Sequence, residues 1–228
     1  MKRILLFLIS CLLLFPQLSN AEFLSPGLYH FTEGQGDYSI FVPTINEHKM
    51  IVALHGSGER AQYYIENWLP EAASENYIVL AVNSLDKNGW TAEDVDRVLE
   101  KVRFFKKSYA VDRALLEGAS SGGQFALYLG INHYADFDAI ATFMGILFGG
   151  FTQYVEYQDE AVKRRPIYMV HGDKDPMIPV IYAQLTAKFL NAQGYPTTYA
   201  EIKGMDHRHY RPENKNILKW FDKATAKK

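Results

Sequence analysis

The chain of 228 residues contains a single cysteine, Cys11. That residue lies within an apolar run over residues 4–15, behind Lys2 and Arg3 and ahead of Pro16 and Ser19-Asn20-Ala21. A short positive start, an apolar middle and small residues at the end are the plan of a secretory leader, so cleavage is expected after Ala21. The mature chain then has no thiol, which excludes disulfides, cysteine-ligated metal and a cysteine nucleophile. The run is also too short for a permanent membrane span. Leu8-Ile9-Ser10-Cys11 resembles a lipoprotein processing site, which would instead anchor the protein at Cys11. The short apolar stretch before Cys11 and its continuation beyond it favour the cleavable leader. The expected location is the periplasm or the medium.

Charge of one sign is also lacking. The formal net charge is −2, and removal of Lys2 and Arg3 makes the mature chain slightly more acidic. No basic excess draws it to nucleic acid or to an anionic membrane surface. Internal repeats, low-complexity tracts and long linkers are missing too, so residues 22–228 are expected to form one domain. With 48% hydrophobic residues the chain has enough apolar material for a packed core.

What is present is an alternation of short apolar runs and helical patterns. The runs predict strands over 38–42, 50–54, 77–82, 114–117, 139–144, 167–170 and 198–202. Val95, Val98, Leu99, Val102 and Phe105 keep helical spacing, which predicts a helix over 93–107 with Thr91 as its cap. Further helices are expected over 124–129, 180–192 and 216–223. Strands alternating with helices imply a mostly parallel, twisted sheet with helices on both faces. Sites on such sheets collect at the carboxyl ends of the strands.

Chemistry is therefore expected in the residues that directly follow the runs. After the run 114–117 comes Gly118-Ala119-Ser120-Ser121-Gly122-Gly123, a G-x-S-x-G pattern between strand and helix. A serine on so tight a turn has its hydroxyl exposed, and the glycines leave room where side chains would collide. Ser120 is the expected nucleophile; Ser121 is a second register with only one flanking glycine. Leu54-His55-Gly56-Ser57-Gly58 follows an earlier buried run and suits an oxyanion loop, with the amides of Ser57 and Ser121 as donors. His55 itself is expected to be structural. After the run 167–170, Asp175 is placed to orient an imidazole, whereas Asp173 suits a turn bond. Beyond Asp175 only His207 and His209 remain, in Gly204-Met205-Asp206-His207-Arg208-His209. His207 is the expected base, with His209 as alternative. Asp206, His207 and His209 could also ligate zinc, but no further ligand cluster of suitable spacing accompanies them, and no metal is expected.

With those residues in hand, the chain resembles the α/β-hydrolase superfamily over nearly its whole mature length. Leu54-His55-Gly56-Ser57-Gly58-Glu59, Tyr109-Ala110-Val111-Asp112, the Ser120 elbow and His171-Gly172-Asp173-Lys174-Asp175 look like small esterases related to polyhydroxybutyrate depolymerases and phospholipase/carboxylesterases. The resemblance implies the α/β-hydrolase fold without a large cap domain, and hydrolysis of an ester, thioester or amide through an acyl-enzyme. It implies no cofactor. The partner is then a small-molecule or polymeric ester. The stretch 145–165 carries Phe148, Phe151, Tyr154 and Tyr157 and is expected to form a small lid or pocket wall, with Phe148 and Phe151 as substrate contacts. Tyr63, Tyr64 and Trp68 are expected on the opposite wall. Two other readings stand beside the esterase: a serine peptidase of the same fold, and a non-catalytic binding module.

Overall fold

The computed structural model describes residues 23–32, 37–147 and 163–226. The leader-like residues, Cys11, and the aromatic residues Phe148, Phe151, Tyr154 and Tyr157 lie outside the described residues.

Eight strands form one sheet: β1 (Gly27–Phe31), β2 (Tyr38–Val42), β3 (Lys49–Leu54), β4 (Ile78–Val82), β5 (Arg113–Ala119), β6 (Ala139–Phe143), β7 (Ile167–Gly172) and β8 (Thr197–Ile202). Their order across the sheet is β1-β2-β4-β3-β5-β6-β7-β8. β1 and β2 are antiparallel to each other, as are β2 and β4, and every other pairing is parallel. This is the expected mostly parallel sheet. β1 was not foreseen from the sequence. It is an edge strand whose residues alternate only between half-buried and exposed, so it has no apolar run to betray it.

The helices are α1 (Ala61–Tyr64), α2 (Leu69–Ser74), α3 (Asp94–Ser108), α4 (Ser121–Asn132), α5 (Val180–Ala192) and α6 (Asn214–Thr225). α1 and α2 were also unforeseen, because four and six residues are too few to show a helical period. α3 begins one residue later than expected, with Glu93 at its cap position. Thr91 still contributes, since its Oγ1 accepts from the Glu93 amide at 3.3 Å and the Asp94 carboxylate reaches back to the Thr91 amide at 2.9 Å.

Side-chain alternation along the central strands divides the core into two layers. Met50, Val52 and Leu54 of β3 join α3 and α4 on one face. Ile51 and Ala53 join the residues of α1, α2 and α6 on the other. Every residue of β3, β4, β6 and β7 is buried, as befits parallel strands covered on both sides. The fold thereby brings the ends of β3, β5, β7 and β8 to a single rim.

Candidate active site

β5 runs straight into Ser120, which has φ 53° and ψ −118°. That is a strained conformation for a residue with a side chain. Backbone bonds hold it there: the Ser120 amide donates to Phe143 O at 2.8 Å, and its carbonyl accepts from the Gln124 amide at 2.9 Å. The flanking glycines are required by contact. A methyl group on Gly118 would lie 2.3 Å from Gly122 O, and one on Gly122 would lie 2.2 Å from Leu54 O.

The loops after β7 and β8 bring the other two side chains to the elbow. His207 Nε2 lies 2.9 Å from Ser120 Oγ, and His207 Nδ1 lies 2.7 Å from Asp175 Oδ2. The second carboxylate oxygen, Oδ1, accepts from the Met177 and Ile178 amides at 2.8 and 2.9 Å. Burial pushes the Asp175 carboxyl up, but the bonds from the Ile178 amide, the His207 ring and the Met177 amide together hold it below its ordinary value. An ionised Asp175 requires the proton on His207 Nδ1, which leaves Nε2 bare and facing the serine hydroxyl. His171 braces the acid from behind: its Nε2–H donates to Ile178 O at 2.8 Å and lies 3.4 Å from Asp175 Oδ2. Gly172 lets the two loops touch, since a methyl group there would meet Met205 O at 2.1 Å. Asp173 has the turn role expected of it, accepting from the Gly204 amide at 2.6 Å.

The loop after β3 lies against the elbow. A Cβ on Gly56 would be 3.6 Å from Ser120 Cβ, and Ser57 Oγ lies 3.0 Å from Ser121 Oγ. His55 Nε2 accepts from the Ser84 amide at 3.1 Å, so its proton sits on Nδ1, which donates to Gly56 O at 2.8 Å. Burial lowers the His55 pKa and keeps the ring neutral. The Gly56 carbonyl belongs to the same peptide unit as the Ser57 amide, so clamping the one aims the other. The Ser121 amide opens α4 and has no carbonyl four residues back within the helix. These are the two amides expected to serve as oxyanion donors.

One expectation is corrected. Tyr64 and Trp68 do not line a wall; both are fully buried beneath the elbow, where they meet Glu117 of β5, and only Tyr63 is exposed. His209, the alternative base, points away from Ser120 into the same buried cluster and bonds Asn214. Among the described residues no group of three or more His, Cys, Asp or Glu side chains could hold a metal. The substrate contacts expected of Phe148 and Phe151 lie outside the described residues. The sequence reading missed an apolar recess of about 310 Å³ lined by Ile146, Met177, Ile178, Pro179 and Tyr182, next to the Asp175 loop. The signal available for it was Met177-Ile178-Pro179, apolar residues directly after the acid.

Comparison with known proteins adds the family. A model described as phospholipase/carboxylesterase matches residues 92–225, a span that includes Ser120, Asp175 and His207. Acyl-protein thioesterase 1 of Gibberella zeae is 24% identical over 206 residues, covering 72% of this chain and 86% of the relative. Among solved structures, a truncated carbohydrate esterase from gut microbiota superposes with a TM-score of 0.70 at 16% identity, covering 91% of this chain and 99% of the other. Zea mays acyl-protein thioesterase 2 gives 0.65 at 16% identity, covering 84% and 100%. The structural likenesses establish the α/β-hydrolase fold, and the match over residues 92–225 establishes that the chain belongs to the phospholipase/carboxylesterase family, as a carboxylesterase-like hydrolase.

Proposed function

We propose that the protein is a serine hydrolase that cleaves carboxylic esters through an acyl-enzyme, with Ser120 as nucleophile, His207 as base and Asp175 as orienting acid. The observation that carries this reading is the continuous chain from Asp175 Oδ2 through His207 to Ser120 Oγ, with links of 2.7 and 2.9 Å. In the first half-reaction Ser120 Oγ attacks the ester carbonyl while His207 Nε2 takes its proton. The carbonyl oxygen gains a negative charge, which the Ser57 and Ser121 amides stabilise; one such donor contributes roughly 3 kcal/mol. The tetrahedral species collapses, His207 returns the proton to the leaving alkoxide, and an acyl-Ser120 ester remains. Water then attacks the acyl carbon as His207 takes its proton; the acyl–Oγ bond breaks, His207 returns that proton to Ser120 Oγ, and the acid leaves. A thioester fits the same sequence of steps, with a thiolate as the leaving group. The apolar recess beside Asp175 suits the acyl or alcohol part of the substrate.

The test is Ser120→Ala on the purified mature protein. Turnover of p-nitrophenyl acyl esters is expected to fall on the order of 10⁴-fold or more. A fluorophosphonate probe should label the wild type and not the variant. Retained turnover, or an unlabelled Ser120 in folded wild-type protein, would overturn the assignment. Export through the leader belongs to the same proposal. Its check is the mature N-terminus, expected at Glu22.

A further inference from the structure

The cluster beneath the elbow has a hydrogen-atom count that constrains its protonation. Glu117 stands on β5, three residues before Ser120, and is fully buried. Its Oε2 accepts from Trp68 Nε1–H at 2.8 Å, and its Oε1 lies 2.7 Å from the Tyr64 hydroxyl. That hydroxyl lies 3.2 Å from Nδ1 of His209, two residues beyond His207. On its other side His209 Nε2 meets Asn214 Oδ1 at 2.9 Å. Asn214 cannot be turned over, because its Nδ2 donates to Asn67 O at 2.8 Å. Oδ1 is therefore the acceptor, and His209 carries its hydrogen on Nε2.

The remaining positions follow in turn. His209 sits among Phe143, Tyr64 and Trp68, with ring centroids 3.9, 5.7 and 5.8 Å away. Burial lowers its pKa to about 4 against the bond to Asn214, which raises it, and Arg211 adds to the fall. The ring is thus neutral and Nδ1 is bare. A bare Nδ1 needs a donor, and the Tyr64 hydroxyl faces it. The single phenolic hydrogen then points to His209, so the Tyr64 oxygen must accept from Glu117 Oε1. That bond exists only if Glu117 carries a proton. An ionised Glu117 would claim the phenolic hydrogen and leave two lone pairs facing each other across 3.2 Å. Burial pushes the Glu117 carboxyl up to about 8 even against the bonds to Tyr64 and Trp68, which favour the carboxylate, and Glu59 on the loop after β3 adds to the rise. The other charged groups facing the cluster among the described residues are Glu71 of α2, 3.4 Å from Asn214 Nδ2, and Arg211.

We propose that Glu117, held as a neutral carboxylic acid, is a positioning residue: through Tyr64 and His209 it ties the loop that carries His207 to the strand that carries Ser120. The chain runs Glu117 O–H to Tyr64 O, Tyr64 O–H to His209 Nδ1, and His209 Nε2–H to Asn214 Oδ1. No group in it touches the substrate. Its role is to fix where the His207 loop stands, and it rests on His207 being the base. Ionisation of Glu117 breaks the chain at Tyr64 and loosens that loop.

The test uses the mature protein with Glu117→Gln, Tyr64→Phe and His209→Phe, alongside Ser120→Ala. Glutamine reproduces the acid's pattern, its oxygen accepting from Trp68 and its NH₂ donating to Tyr64. Infrared spectra at pH 7 are expected to contain the carbonyl band of a buried protonated carboxyl in the wild type and in Ser120→Ala, and to lack it in Glu117→Gln. The wild-type kcat should decline as pH rises through about 8. Glu117→Gln should lose that decline while staying within about threefold of wild type at pH 7. Tyr64→Phe and His209→Phe should lower kcat about tenfold with KM little changed, as displacement of a reacting group does. The proposal is overturned if the protonated band is missing from folded wild type, if Glu117→Gln keeps the alkaline decline, or if Tyr64→Phe leaves kcat unchanged. Should His209→Phe not fold, Tyr64→Phe and the infrared band decide. Failure of the catalytic reading is distinguishable: Ser120→Ala would then retain turnover while the infrared band persists.

Discussion

Replacing Asp175 by asparagine keeps the size of the side chain and exchanges one carboxylate oxygen for an NH₂ group. Oδ1 is committed to the Met177 and Ile178 amides at 2.8 and 2.9 Å, so the asparagine oxygen takes that place. The new NH₂ then faces His207 Nδ1, 2.7 Å from the exchanged atom. Two hydrogens cannot share that line, so the imidazole moves its proton to Nε2. Nε2–H now points at Ser120 Oγ, and the ring's one lone pair, on Nδ1, faces the asparagine NH₂ and cannot take the serine proton. The expected loss in kcat is on the order of 10⁴-fold, about 5 kcal/mol of barrier. That magnitude comes from the same substitution in an unrelated serine protease. The fold should persist, since two of the three bonds to the side chain survive. A modest stability cost of about 1–2 kcal/mol is expected, because the NH₂ also meets His171 Nε2–H, 3.4 Å from Oδ2. The assay is p-nitrophenyl acetate turnover set beside a urea unfolding curve. Turnover within tenfold of wild type in a folded Asp175→Asn protein would refute the tautomer argument.

The remaining predictions concern stability. Gly122→Ala would put a methyl group 2.2 Å from Leu54 O and 2.4 Å from His55 O, both backbone atoms, and should destabilise by roughly 3 kcal/mol; an unchanged urea midpoint would show that the elbow can give way. For Glu117 the folded protein keeps a proton that the unfolded chain releases, so folded protein binds more protons between the ordinary value of 4.5 and about 8. Its contribution is therefore full below 4.5 and lost progressively as pH rises to about 8. Glu117→Gln titrates nothing, and its unfolding free energy should decline less steeply across that window. Asp175 has the opposite sign: its lowered pKa gives stability above its ordinary value that is lost as pH falls through the folded one. Asp175→Asn should accordingly flatten the acid limb of the unfolding profile, and an acid limb identical to wild type would count against the bonds assigned to that carboxylate.

The parts of the fold that could be read from residue order are those with a local cause. An apolar run covered on both faces declares itself, and the strand 38–42 and the helix 180–192 have the bounds the pattern predicts. β5 is longer than its apolar run because pairing with β3 and β6 carries Gly118 and Ala119 along as strand. β1, α1 and α2 take their conformation from what they pack against, and no local period marks them. The choice between His207 and His209 was of the same kind. Spacing made the loop flexible, but the direction of each ring depends on Asp175 for one and on Asn214 for the other, 32 and 5 residues away.

One signal in the residue order went further than a periodicity argument could follow. Glu117 directly follows the run Ala114-Leu115-Leu116 in a strand that has parallel neighbours at both edges and is buried from Ala114 onward. A charge cannot stay there without partners, so the position calls either for a counter-charge or for a neutral acid with a donor and an acceptor at hand. Among the described residues no lysine or arginine meets it; Trp68 Nε1–H donates to one carboxyl oxygen, and under the proposed protonation the Tyr64 hydroxyl, 2.7 Å from the other, is the acceptor. Both aromatics had been expected at a pocket wall because they follow the oxyanion loop in sequence. Their polar tips settle the matter differently: a buried phenol and a buried indole each need a hydrogen-bond partner, and the acid three residues before the nucleophile needs two. On the proposed protonation the elbow stands on a polar floor that satisfies itself, and the loop that carries His207 is fastened to that floor through His209, next but one along the chain.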